Sequence, residues 1–108
     1  MTLAEVLAAA AEDLPDATSS VGADGAVSWS VDGLVFAVLA GDGASVAVLL
    51  GPAVAAAAAR TPDVVAVPGR GPGWVELRPA TVDGHAADRA AAWFLSGYRR
   101  LTGDRPEA

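Results

Sequence analysis

The sequence predicts an α+β fold. It reads as a two-layer sandwich, an antiparallel sheet of about five strands with helices on one face, in the order α-β-β-β-α-β-β-α. Three observations carry this. Apolar residues recur at helical spacing near both ends of the chain, at Leu3, Val6, Leu7 and Ala10 and again at Ala90, Trp93, Phe94, Gly97 and Leu101. Between them lie short apolar runs split by turn signals, Asp32–Gly33 and the Gly-Asp-Gly of Gly41–Gly43. The chain has 108 residues, the size of one domain covering 1–108, and roughly two-thirds of its unfolded surface fits into a single core.

The first helix opens on Thr2 and Glu5, the T-x-x-E pair of a capping box, and is expected to end at Leu14–Pro15. Pro15–Gly25 is a polar, turn-rich connection. Ala26–Val31 alternates strictly, with Val27, Trp29 and Val31 on one face and Ser28 and Ser30 on the other. Asp32–Gly33 turns the chain into a second strand, Leu34–Ala40, and Gly41–Gly43 turns it into a third, Ala44–Leu50. Pro52 opens an alanine-rich helix that stops at Thr61–Pro62. Val64–Pro68 and Trp74–Arg78 are the last two strands; in the second, Val75 and Leu77 oppose Trp74, Glu76 and Arg78. The closing helix is expected to start near Asp83 as its N-cap and to end with Arg99 and Arg100, whose charge complements the helix dipole. Gly103–Ala108 is a frayed tail.

Composition excludes several classes of function. There is no cysteine, which removes disulfides, thiol catalysis and cysteine–metal sites and fits a cytoplasmic setting. The basic residues are seven arginines without a lysine, alanine is about a quarter of the chain, and this bias suggests a high-GC bacterial genome. A net charge of −6 repels phosphate backbones. The N-terminal apolar run lacks a basic n-region and is interrupted by Glu5, so no signal peptide is expected. The longest apolar run, Leu34–Ala40, is too short to span a bilayer.

Val31–Leu39 together with Gly71–Leu101 resembles the MmcQ/YjbR-like family, small bacterial proteins with a double-wing motif and a predicted DNA-binding role. The features that match are Gly33, Phe36 and Ala37, then Trp74 and Val75, then Trp93, Tyr98, Arg99 and Arg100. The resemblance covers most of the chain, roughly Leu14 to Leu101. It implies a two-layer fold like that of secretion chaperones. Where the family commonly carries a lysine after the glycine, this chain has Leu34, so one basic candidate for nucleic acid is missing.

Gly69–Gly73 (Gly-Arg-Gly-Pro-Gly) leads into a strand rather than a helix, and Pro72 lacks an amide proton, so a hairpin connection is preferred over a phosphate cradle. His85 is the only histidine and is read as solvent-facing, without metal partners. Ser19, Ser20 and Ser96 have no base nearby in sequence, and the aspartate pairs Asp13/Asp16 and Asp83/Asp88 are read as solvated caps. No catalytic residue, metal ligand or cofactor is therefore assigned. The candidate interaction residues are Arg70, Trp74, Arg78, Arg99 and Arg100, which would form a basic, aromatic patch if strand and helix ends converge.

The second and third strands are apolar at alternate and intervening positions alike. Leu34, Phe36 and Val38 fall on one face under strict alternation, and Val35, Ala37 and Leu39 on the other. Helices on one side cover one face only, so the other needs a cover. A homodimer through the open face provides it, as does a monomer that gives the surface to a partner or a small apolar ligand. The preferred function is a non-enzymatic binding or interaction module with an unknown protein or small-molecule partner. DNA binding is the alternative, disfavoured by net charge, and an enzyme of unrecognised type is the second; no membrane association is expected.

Overall fold

A computed structural model describes residues 2–102 of the chain, and the predicted tail Gly103–Ala108 lies outside the described residues. The elements are α1 (Leu3–Ala11), β1 (Thr18–Val21), β2 (Val27–Val31), β3 (Leu34–Leu39), β4 (Val46–Leu49), α2 (Pro52–Ala58), β5 (Val64–Ala66), a 3-10 turn (Pro68–Arg70), β6 (Trp74–Leu77) and α3 (Gly84–Thr102). All strand pairs are antiparallel, and the single sheet runs β1-β2-β3-β4-β6-β5. The chain is α+β with its helices on one face of the sheet, as the sequence predicts.

Local signals act where expected. Thr2 and Glu5 close the capping box, each side-chain oxygen accepting the other's backbone N–H at 3.1 and 2.9 Å. Helix α1 ends at Ala11, three residues before the expected Leu14. Asp32 and Gly33 both take positive φ, 53° and 81°, the pair a type I′ turn demands between β2 and β3. Asp83 caps α3, its Oδ1 accepting from Ala86 N at 2.9 Å.

Two features differ from the sequence reading. The first is β1, an edge strand inside the segment expected to be a connection. Its four residues, Thr-Ser-Ser-Val, are all exposed, so no apolar alternation marks it. Pairing with β2 holds it, helped by a Thr18–Ser30 hydroxyl contact at 3.3 Å. The second is a β-bulge in β3. The register runs Val27↔Leu39, Ser28↔Val38 and Trp29↔Ala37, then jumps to Ser30↔Val35, leaving Phe36 as the extra residue. Phe36 and Ala37 are both fully buried on the helix side. The two alternating sets expected for this strand are therefore regrouped. Phe36, Ala37 and Leu39 face the helices, and Val35 and Val38 face the other way.

The core sits between sheet and helices. One row across the helix-facing side is Trp29–Ala37–Val48–Val75, and the next is Val27–Leu39–Val46–Leu77–Val64. Phe94 of α3 is fully buried against them, edge-on to Trp29 and Phe36 with both ring centroids at 5.1 Å. Helix α3 comes this close because position 97 is glycine. A Cβ there would lie 3.2 Å from Leu49 O and Val48 Cγ1 and 3.3 Å from the Phe36 ring. Among the described residues no helix is long and apolar enough to cross a membrane.

Candidate interaction surface

The sheet face turned away from the helices is the open one. A row crosses all six strands on it: Ser20, Ser28, Val38, Ala47, Glu76 and Val65. To the same side of this row lie Val35, beside Ser30, and Leu49, beside Trp74. The face is polar at the β1–β2 end and apolar through its centre. Val38, Leu49 and Trp74 are half-buried, and Val35 and Val65 are exposed.

Arg70 and Trp74 are brought together there. The 3-10 turn before β6 lays the Arg70 guanidinium over the Trp74 ring, 5.3 Å from its centroid. Arg70 also lines a hollow of about 240 Å³ with Asp24, Val38, Ser45, Ala47 and Glu76. Ala47 is 7% exposed although it belongs to the open face. The Gly-Arg-Gly-Pro-Gly segment is thus a connection, as expected, but one that folds its arginine back onto the sheet.

The other three candidates are placed elsewhere. Arg78 is on the same face, four residues beyond Trp74, and its Nη2 and Nε donate to Glu76 Oε2 at 2.7 and 3.2 Å. That pair neutralises Arg78 within the strand. Arg99 and Arg100 are exposed near the end of α3, in the helix layer. The Arg100 guanidinium fills the space where a side chain on Gly51 would stand. Leu50 N and Gly51 N both donate to Gly73 O, at 2.8 and 3.1 Å, so Arg100 and Trp74 flank one backbone junction from opposite layers. The five residues do not form one patch. Arg70 and Trp74 form the centre, Arg100 stands behind it, and Arg78 is committed to Glu76.

A second cluster surrounds His85, which is exposed in the first turn of α3. His85, Arg89, Asp63, Thr81 and Asp83 line a hollow of about 400 Å³. Arg89 Nη2 donates to Pro62 O at 3.2 Å, and its guanidinium lies 5.5 Å from the Trp93 ring centroid. Arg89 carries no sequence signal, because its partners are a carbonyl 27 residues away and a ring on its own helix. Among the described residues no three His, Cys, Asp or Glu side chains are grouped to hold a metal ion.

Fold and surface together define a two-layer α+β domain with one sheet face left open. No family model, curated protein or solved structure compared with it matches this chain.

Proposed function

We propose that this chain is a non-enzymatic interaction module that binds a protein partner through the open sheet face, with Arg70 and Trp74 as its anchor. The observation that carries this reading is the Arg70 guanidinium held on the Trp74 ring at 5.3 Å, beside half-buried Leu49 and Val38. Tryptophan and arginine are the side chains that most often dominate protein contacts, and an apolar surround excludes water from such a pair. The hollow under Arg70, about 240 Å³, is smaller than usual small-molecule sites of roughly 300–1,000 Å³, which favours a protein over a small ligand.

Duplex DNA is the second reading. Its support is the basic, aromatic pair of Arg70 and Trp74, with Arg100 against Gly51 on the helix side. The net charge of −6 opposes it, since phosphate binding draws on a positive surface.

A photo-crosslinking residue at Val38 on the open face, compared with one at exposed Ala92 on α3, tests the proposal. Adducts should form from position 38 and not from position 92. The captured protein, purified and titrated against the Trp74→Ala variant, should bind at least about tenfold more weakly than to the parent. Equal capture at both positions, or unchanged affinity in Trp74→Ala, would refute it.

A further inference from the structure

The sheet has two edges, and β1 is the one that carries information. Its four residues are exposed, Val21 to 71%. It has none of the devices that blunt an edge: no charge, proline or bulge interrupts Thr18–Val21. We propose that two copies of this chain join edge to edge through β1, antiparallel and centred on Ser19, so that two six-stranded sheets become one.

The backbone sets which groups are available. Gly22 N donates to Ala26 O at 2.8 Å. Bonded pairs alternate in an antiparallel ladder, so Thr18 and Ser20 turn their backbone groups toward β2, and Ser19 and Val21 turn theirs outward. The carbonyl of Ala17 continues the outward set, while its N–H is taken by Leu14 O at 3.1 Å. About the Ser19 centre, Ser19 N–H meets Ser19 C=O of the second copy and Val21 N–H meets its Ala17 C=O. Symmetry doubles both, giving about four bonds.

Charge selects the occupant and the register. Ala17–Ala23 is neutral in a chain of net charge −6, and it is flanked by Asp16 and Asp24. Centring on Ser20 would set Asp16 opposite Asp24 of the second copy, two like charges face to face. Centring on Ser19 sets Asp16 opposite Gly22 and removes the clash. Pairing β1 with the three-residue β5 edge of another copy would not close and would propagate, whereas β1 on β1 closes by a two-fold axis.

The helix layer fits the same symmetry. Ala4, Ala8, Ala11 and the exposed Glu12 at the end of α1 line a groove of about 440 Å³ with Ser19, Val27, Trp29 and Leu39, and Glu12 is the one charge in it. A strand added about 4.8 Å beyond β1 carries the second copy's α1 to the same side of the sheet. Helices pack at about 8–10 Å, and alanines on the facing side allow the closer end of that range. Val21, on the helix side of its strand, comes to lie over Ala17 of the second copy at the groove. Four-residue strands alone fall short of the roughly 1,200 Å² of a stable interface, so the dissociation constant is expected to be of order 10 µM.

Sedimentation of the purified chain from about 1 µM to about 1 mM should show the mass rising from 10.7 kDa toward twice that value. Ser19→Pro removes an outward N–H and leaves the β2 ladder intact, because proline is tolerated where a strand's N–H faces solvent. It should keep the parent's circular dichroism and raise the dissociation constant at least about tenfold. Val21→Asp, at an exposed position, should do the same and decides the matter if Ser19→Pro does not fold. Trp74→Ala should dimerise like the parent, which separates this proposal from the partner-binding role of the open face. A parent that stays monomeric at about 1 mM overturns the proposal. So does a dimer that survives Val21→Asp, or one lost in Trp74→Ala.

Discussion

Placing a glutamate at each of three consecutive positions, Phe36, Ala37 and Val38, reads the face assignment of β3 directly. Phe36 and Ala37 are both 0% exposed, and the bulge turns both toward Phe94 and the helix layer. A carboxylate in either place loses its water and finds no partner, at several kcal/mol after relaxation. Phe36→Glu also removes the ring that meets Phe94 at 5.1 Å and Tyr98 at 6.0 Å, a loss of about 3–5 kcal/mol by itself. Against a total stability of about 5–15 kcal/mol, either change should unfold the domain or bring it to the threshold. Val38 is half-buried on the open face, between Ser28 and Ala47. Val38→Glu gives up part of one apolar side chain but keeps its charge in water, about 1 kcal/mol, or roughly 4–8 °C in melting temperature. Circular dichroism melts of the three variants are the assay. Two unfolded chains at 36 and 37 and a folded one at 38 are expected. If Phe36→Glu and Val38→Glu behave alike while Ala37→Glu differs, strict alternation holds and the bulge reasoning is refuted.

Other expected outcomes follow from named contacts. Gly97→Val should cost about 2–3 kcal/mol by chemical denaturation, because even a Cβ at that position stands 3.2 Å from Leu49 O; a loss below about 0.5 kcal/mol would show that α3 does not need its close approach. Asp83→Ala should lower stability by about 1 kcal/mol through loss of the bond to Ala86 N, with Asp83→Asn retaining most of it. Titration with duplex DNA at physiological salt should give no binding tighter than about 1 µM; a nanomolar mobility shift that weakens steeply with salt would contradict this, and Arg70→Ala and Arg100→Ala would then be the first variants to examine.

Much of the fold was legible because local signals agree with it. The Asp32–Gly33 turn, the capping pair Thr2/Glu5 and the Asp83 cap are short-range chemistry, and each appears where its residues stand. The alternation Val75, Leu77 against Trp74, Glu76 was equally readable, since β6 is paired on both sides and has one covered face. Strand β1 was not legible. It is an edge held by backbone pairing, and Thr-Ser-Ser-Val carries no apolar period. The bulge was not legible either, for a run of six apolar residues at Leu34–Leu39 looks the same in either register. It explains part of what the sequence presents as two apolar faces, since three of those six side chains point to the helices and are buried. For the candidate surface, the sequence points to Arg70 and Trp74 as members of one patch with Arg78, Arg99 and Arg100, and only the first two come together. Their stacking depends on the 3-10 turn, and a shared strand face does not by itself tell that Arg78 pairs with Glu76 instead of joining the patch.

The binding role of the open face is tested most directly with Trp74 as its own reporter. In a chain carrying Trp29→Phe and Trp93→Phe, Trp74 is the one remaining tryptophan of the three. Saturation with the protein captured at Val38 should shift its emission to shorter wavelength and protect it from acrylamide quenching, as the half-buried ring under Arg70 becomes covered. A complex that forms with the emission and quenching of Trp74 unchanged would place the partner elsewhere and contradict the account.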